Sequence, residues 1–571
     1  MEGNEVKDRL VHAIGLMEER YNPQTRMLRS PFSSPGYHTT LKNTAFIHST
    51  RDSLIYALGL LDTELPQYEQ RAMDIIRQVI SLQEPNPEQA TYGIWPWFYE
   101  EPLKQMNPPD WNWADFCGKS LVQSVVRHNH RFPDELRELV RNAVFHACES
   151  IMRRNMGPHY TNIAIMGTFV TLIAGEFFGQ PRYLEYGLER LEGIAEYTRR
   201  LGTFEEYNSP TYMTVVLTDL SLMHKTTKVL RGMQLSEELL ELGWRSVAEH
   251  FHAATMEWSG PHSRCYSSLL KENVQAFLQI ATKGAVRYFP DDHMPYDIGL
   301  YGCGVQCPSR FIPLFVESGI RTVHEIYQKA GNDGYEKTAT TWITPSYSLG
   351  TASKEVLWNQ RRNLLAYLVN GESRTYVALR CLHDGYDYAA AVSTCAQRQQ
   401  HVLCGVQFST NGGDTHIGLD RIDGTIQASD LRIRFEIGGS LQKVKVRIRG
   451  RKATAAIGAL EVTVMNVLTA FSGAEVTTPA GNWELYEGDY GRIGMDLVLY
   501  NGPRRIIDFN KLHEALALVA FAVSEPDTEM EEVEVVRVEE AVTAVWAPTG
   551  VPISLTFGMK PEKVEALRGM L

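Results

Sequence analysis

Residues 161–197 read TNIAIMGTFVTLIAGEFFGQPRYLEYGLERLEGIAEY. Apolar residues recur three and four positions apart on both sides of Gly179-Gln180-Pro181. Glycine is favoured just past a helix end and proline in a first turn, so the stretch reads as helix, tight turn, helix. The same period extends outward through LVHAIGLM (10–17), SLIYALGLL (53–61), AMDIIRQVISL (72–82), SLVQSVV (120–126) and LRELVRNAVFHACESIM (136–152). Asn208-Ser209-Pro210 and Pro133-Asp134 open further helices. First helices begin near Thr50, Asn112, Thr161, Asn208 and Ser263, a period of roughly 50 to 60 residues that resembles helix-pair repeats in length. Five or six such hairpins close into an (α/α) toroid or stack into an open solenoid. Polar and aromatic residues gather at equivalent helix starts, which favours the ring, because a ring collects those starts around one mouth.

Beyond residue 336 the pattern changes to short alternating runs bounded by Gly, Asn and Asp, among them TATTWIT, TYVALRCL, KVKVRIRG, MDLVLYNG and EEVEVVRVEE. About eleven candidate strands predict an antiparallel β-sandwich, with LHEALALVAF near residue 515 as a helical exception. The expected division is a helical toroid over 1–335 and a β-sandwich over 336–571. No Gly-, Ser- or Pro-rich linker intervenes, so the halves are expected to share a cleft.

The chain has 571 residues, with Lys plus Arg at 56 and Asp plus Glu at 68, a net charge of −12. The balance reads as uninterrupted by any basic run, so neither nucleic acid nor a membrane surface is an expected partner. The N-terminal MEGNEVKDRLVHAIGLMEER lacks the apolar core of a secretory signal, which makes a cytoplasmic location the expectation. Ile163 to Leu172 is the nearest approach to a membrane span and is too short for one. Eight cysteines give no zinc-site spacing: Cys303 and Cys307 lack a second pair. No metal and no cofactor are expected, and self-association into a homo-oligomer stays open.

Five clusters stand at the helix starts: His48 with Arg51; Trp111, Asn112, Trp113 and Asp115; His159, Tyr160, Thr161 and Asn162; Glu205, Glu206, Tyr207, Asn208 and Tyr212; His262, Arg264 and Tyr266. Helix capping accounts for Asn112, Thr161, Asn208 and Ser263 one at a time. It does not account for the Tyr, His, Arg and Trp that accompany each. Trp95, Trp97, Tyr99, Trp111 and Trp113 crowd among prolines and acids, and such aromatic planes suit the apolar faces of sugar rings. His12, His146, His224 and His250 read as core or surface residues.

The order TNI, then EYNSPTY, then GPHSRCY, then a β-sandwich resembles the toroid-plus-sandwich polysaccharide lyases, the heparinase, chondroitin-lyase and alginate-lyase group. The resemblance implies β-elimination on a uronate-containing oligosaccharide. In that group an Asn, often with Arg or His, neutralises the uronic carboxylate while a Tyr moves the proton. Carried onto this sequence, Asn162 takes the carboxylate contact, Tyr212 or Tyr207 the proton transfer, and His262 with Arg264 the cationic support. Asn208, Glu206, Tyr266, His159, Trp113, Asn112, Trp97 and His48 become candidate substrate contacts. The family's frequent His just before its Tyr has no counterpart in EYNSPTY. A donor set of this kind fits the chemistry, since removing the proton α to a carboxylate builds enolate-like charge that hydrogen bonds must meet. Two other readings stand beside it: a glycoside hydrolase using Glu205 or Glu206 with Asp115, and a noncatalytic glycan-binding protein.

Overall fold

The computed structural model describes residues 3–330, 335–473, 480–488 and 491–569. The chain forms two compact units that interleave: one holds residues up to Arg200, Met213–Trp244 and Glu272–Pro308, the other Leu201–Tyr212, Arg245–Lys271 and Ser309 onward. The boundary at 335/336 expected from the change of period falls at the start of the strand Tyr335–Ile343, which pairs with Arg321–Ala330; residues 331–334 lie outside the described residues.

The first unit is helical. It comprises α1 (Gly3–Met17), the hairpins α2/α3 (Thr50–Asp62, Pro66–Ile80), α4/α5 (Trp113–His128, Asp134–Arg154) and α6/α7 (Thr161–Phe178, Pro181–Leu201), most of α8/α9 (Pro210–Thr226, Leu230–His250), and α10 (Glu272–Ala281). Successive first helices pack on one another, α2 on α4 and α4 on α6, and the partner helices back them. The Lys119 ammonium on α4 reaches Asp219 on α8 at 2.5 Å, and Trp244 of α9 stacks on Phe277 of α10 with centroids 5.9 Å apart. After α10 the chain returns to its start: Gly59 of α2 is in close contact with both Ile14 of α1 and Ile298, so a Cβ there would lie 3.0 and 3.2 Å from their Cδ1 atoms. The ring therefore closes as an (α/α) toroid. Among the described residues it is built of four hairpins with α1 and α10 completing it, where five or six hairpins were expected. The shortfall arises at Ser263, which opens no helix: it follows a two-stranded turn, Phe251–His252 with Glu257–Trp258, and precedes α10.

Helix α6 corrects the membrane reading of its sequence. At 18 residues and a mean hydropathy of 1.4 it is long and apolar enough to cross a membrane, yet 83% of it is buried inside the protein. It is the inner helix of its hairpin, so it is apolar on all sides.

The second unit is an antiparallel sandwich of a nine-stranded and a seven-stranded sheet. Leu364, Ala366, Val377 and Leu379 of one sheet meet Val402, Cys404, Val464 and Phe521 of the other in a common core. The expected helix at LHEALALVAF is instead the strand Leu512–Ser524. It lies between two neighbours, His401–Phe408 and Leu460–Gly473, and both of its faces are covered. A strand covered on both faces shows an apolar run rather than alternation, which is why its sequence mimics a helix. A third sheet, Glu534–Val538, Ala541–Trp546 and Ile553–Gly558, packs Trp546 and Phe557 on Leu403, Leu516 and Leu518. All eight cysteines are buried and free.

One contact positions the loop that follows Ser259. The strand Tyr347–Ala352 presses Gly350 against the backbone at Gly260, where a Cβ would come within 1.8 Å of the Gly260 carbonyl oxygen. That same oxygen accepts a 2.7 Å hydrogen bond from Thr341 Oγ1. Replacing Gly350 by alanine forces the loop off the sheet and is expected to lower unfolding stability by about 1–3 kcal/mol. Gly558→Ala, which meets nothing within 4 Å, is the control. Equal denaturant midpoints for the two variants would refute the close approach.

Candidate active site

The turn Tyr207–Ser209 and the loop Ser259–Tyr266 are bound together by Asn208. Its φ of +46° is a left-handed conformation that asparagine tolerates better than most residues. Its Nδ2 donates to the carbonyls of Ser259 and Pro261, each at 2.8 Å. Its Oδ1 accepts from Trp258 Nε1 at 2.5 Å, and its backbone oxygen accepts from His262 Nδ1 at 2.6 Å. Ser263 Oγ donates to the Tyr207 carbonyl at 2.8 Å, and Ser209 Oγ to the Arg264 carbonyl at 2.5 Å. Asn208 therefore spends its polar atoms on the loop rather than on a helix cap. Asn112 likewise makes no capping bond: it donates to Tyr160 Oη at 3.1 Å and accepts from Arg154 at 2.5 Å.

This knot places Arg264 beside Tyr212 in the first turn of α8. Arg264 Nη2 donates to Tyr212 Oη at 2.9 Å, and the two phenol oxygens of Tyr212 and Tyr266 lie 2.7 Å apart. The guanidinium carbon is 4.7 Å from the Tyr212 ring centroid and 5.3 Å from that of Trp358. Arg264 Nε donates to Gln360 Oε1 at 3.2 Å, and Nη1 stands 3.8 Å from Glu206. Glu206 is buried, whereas Tyr266 is 44% exposed. The arrangement combines a phenol, a fixed cation at its oxygen and a second, solvent-facing phenol that can relay a proton.

Trp358 and Gln360 were missed by the sequence reading. They come from the segment after the short strand Glu355–Val356, whose backbone pairs with the loop: His262 and Arg362 exchange two 3.0 Å bonds, and Cys265 N–H donates to the Gln360 carbonyl at 2.7 Å. The run WNQRRN (358–363), an aromatic, two amide types and two arginines between strands, is the signal that was available.

Two candidates take different parts from those expected. Tyr207 is 1% exposed, stacks on Tyr327 with centroids 4.9 Å apart, and donates to His250 Nε2 at 2.8 Å. His250 Nδ1 donates to the Ser246 carbonyl at 2.7 Å, which fixes its tautomer. Burial, reinforced by Glu325, holds the Tyr207 phenol well above its ordinary range. Tyr207 is thus wall, not base. His262 is 2% exposed, and burial pushes it down to about 3. Burial thus disfavours the charged form expected of it, whereas Arg264 beside Tyr212 carries a charge.

The remaining candidates lie in the helical unit. Asn162 stands in the first turn of α6 and is 1% exposed; His159, two residues before that helix, is exposed. Trp97 and Trp113 pack at 5.1 Å, their indole N–H groups held by Asp110 and Thr50. His48 donates to Glu100 and accepts from Asn22. Asp115 is 3% exposed and lifted to about 7 by burial, with Arg190 and Arg154 opposing. Its Oδ1 packs against the α6 backbone at Gly167, where a Cβ would come within 2.4 Å. Among the described residues no group of three or more His, Cys, Asp or Glu side chains is arranged to hold a metal.

Burial pushes His250 and His252 down to about 4 and His262 to about 3, against 6.5 when unfolded. Each contributes stability that is full above about pH 6.5 and is withdrawn as pH falls toward the folded value, because the unfolded chain takes up the proton first. Asp115 and Glu257, both lifted to about 7 chiefly by burial, act in the opposite sense over the same window. The resonances themselves are therefore the clean readout: in an NMR titration the imidazoles of His250 and His262 are expected to stay neutral down to pH 5. A midpoint near 6.5 for either would contradict their placement.

A family model described as a domain of unknown function (DUF8769) matches residues 13–287. No curated protein matches the chain. Among solved structures the chain is similar to heparinase III, at 11% identity and a TM-score of 0.44, covering 98% of this chain and 92% of that one. It is similar to the Streptomyces coelicolor A3 chondroitin AC lyase in complex with chondroitin sulphate, at 10% identity and a TM-score of 0.43, covering 97% and 86%. It is also similar to a Paenibacillus xanthan lyase, at 9% identity and a TM-score of 0.42, covering 96% and 61%.

Proposed function

We propose that the chain is a glycan lyase that cleaves a uronate-containing oligosaccharide by β-elimination. The observation that carries this reading is the Arg264 Nη2 donor 2.9 Å from Tyr212 Oη, with Tyr266 Oη 2.7 Å from the same oxygen. A cation donating to a phenol oxygen favours the phenolate, the form able to act as base. Tyr212 takes the C5 proton. The C5–H electrons form the C4=C5 double bond, the C4–O bond breaks, and the departing oxygen receives a proton from Tyr212. Tyr266, exposed and hydrogen-bonded to it, is the second phenol through which that proton passes. Arg264 supplies the positive charge beside the carboxylate, and Asn162 supplies carboxylate hydrogen bonds on the strength of the sequence resemblance. The hydrolase reading is weaker, because Asp115 is packed into the helical core and Glu206 is already opposite Arg264.

The decisive experiment is incubation with a panel of uronate oligosaccharides while following the ultraviolet absorbance of an unsaturated product. A saturated product with water incorporated would establish the hydrolase instead. Binding without turnover on any of the panel would establish a glycan-binding protein.

Tyr212→Phe is expected to lower kcat by about 10²–10⁴-fold with substrate affinity little changed, since proton transfer is confined to the transition state. Arg264→Ala and Asn162→Ala are expected to weaken both, because the carboxylate is charged before reaction begins. Tyr207→Phe should keep turnover yet cost about 1–3 kcal/mol of stability through the unmade bond at His250. Full activity in Tyr212→Phe, with activity lost in Glu206→Gln, would overturn the assignment.

A further inference from the structure

The sequence reading passed over a basic run. Between Glu436 and Glu461 the chain has no acid but carries Lys443, Lys445, Arg447, Arg449, Arg451 and Lys452. Among the described residues the strand Lys445–Arg449 is an edge of the seven-stranded sheet, paired on one side only, with Lys452–Ile457. Lys445, Arg447 and Arg449 share one face and are exposed, and Ile448 is 37% exposed. Among the described residues Lys443, Lys445, Arg447 and Arg449 form no ion pair and no side-chain hydrogen bond, in a protein of net charge −12.

A second open edge carries the opposite sign. Residues 525–540, EPDTEMEEVEVVRVEE, contain eight acids and one base, 1 − 8 = −7. Their strand Glu534–Val538 pairs on one side only, with Ala541–Trp546, and is exposed along its whole length, Val536 at 55% and Val538 at 64%. Unpaired backbone edges with exposed apolar side chains are templates for strand addition.

We propose that the chain associates head to tail with further copies of itself, the cationic edge Lys445–Arg449 of one copy adding antiparallel to the acidic edge Glu534–Val538 of the next. In one register Arg447 falls opposite Glu534 and Val446 opposite Val535, with Arg449 opposite Glu532 just before the strand and Lys445 opposite Val536. Directly opposed pairs of this kind are within about 5 Å at Cβ and stabilise a ladder, whereas like charges so opposed destabilise it. Antiparallel pairing of the basic edge with its own copy sets Lys445, Arg447 and Arg449 against one another, so that edge favours a partner of the opposite sign. A contact of unlike surfaces leaves one free edge at each end of any pair, and assembly continues unless it closes into a ring. Five-residue strands bury less than a standard interface, which makes the association weak, concentration-dependent and sensitive to salt.

The test is sedimentation velocity of the full chain from micromolar to millimolar concentration, at low salt and at ~0.5 M salt, where screening is nearly complete. The expected result is a mass that grows with concentration beyond two chains at low salt and returns to one chain, 64.6 kDa, at high salt. The double variants Arg447→Glu with Arg449→Glu, and Glu532→Lys with Glu534→Lys, should each remain single chains alone. Mixed in equal amounts they retain one intact basic and one intact acidic edge between them. They should therefore regain growth beyond two chains, because the two reversed edges complement each other as the two intact ones do, a result that also shows both variants are folded. Wild-type protein that stays a single chain throughout, or a dimer that persists in both variants, overturns the proposal. So does a wild type that stays single while a soluble polyuronate binds it and fails to bind the Arg447→Glu, Arg449→Glu variant, since the basic strand would then serve glycan.

Discussion

The carboxamide of Asn208 ties two separate pieces of chain into one surface. Its donors hold the Ser259 and Pro261 carbonyls, its acceptor holds the Trp258 indole, and its backbone oxygen holds His262. Each of these groups is buried and would otherwise be unsatisfied, so the arrangement is enforced by the cost of leaving any one of them without a partner. The relation of Arg264 to Tyr212 is a by-product of that accounting. Neither residue needs a direct tether to the other's element; the turn and the loop are already in register.

The electrostatics follow from the same packing. Arg264 is flanked by two aromatic faces, Tyr212 and Trp358, and its orientation is further limited by Gln360. A guanidinium held this way keeps its donors aimed at the phenol oxygen without reorganising when charge develops there, which is the condition for electrostatic assistance to be large. His250 and His262 supply hydrogen bonds inside the wall, and burial holds both toward the neutral form.

The helical architecture was legible because three- and four-residue spacing survives burial: α2, α4 and α6 begin at or within one residue of the expected starts. The β region was legible through alternation, and the one strand read as a helix, Leu512–Ser524, is one whose two faces are both covered. The residue types of the candidate site can be read in the sequence, but their contacts cannot. Tyr207 and Tyr212 are five positions apart in one motif, and nothing local says that the first turns inward to His250 while the second reaches Arg264. His262 and Arg264 are two positions apart, yet burial makes one neutral and the knot makes the other the cation. Trp358 and Gln360 lie about a hundred residues downstream, and only the pairing of their segment with the loop reveals their place. The basic run at 443–452 was hidden by summing charge over the whole chain, where an acidic stretch outweighs it.

The interleaving of the two units bears on synthesis and on evolution. Translation delivers Tyr207–Tyr212 and Trp258–Tyr266 well before Tyr327, Trp358 and Gln360 leave the ribosome, so Arg264 and Tyr207 are made before these neighbours. Those two segments are the part of the nascent chain with most reason to need shielding. For the same reason a genetic crossover at the visible change of period, near residue 336, would not exchange one self-sufficient module for another: it would part Arg264 from Gln360 and Tyr207 from the pairing that surrounds it. Where such a chain changes specificity, the change is expected to accumulate by substitution within the loop and its sheet rather than by shuffling of whole halves.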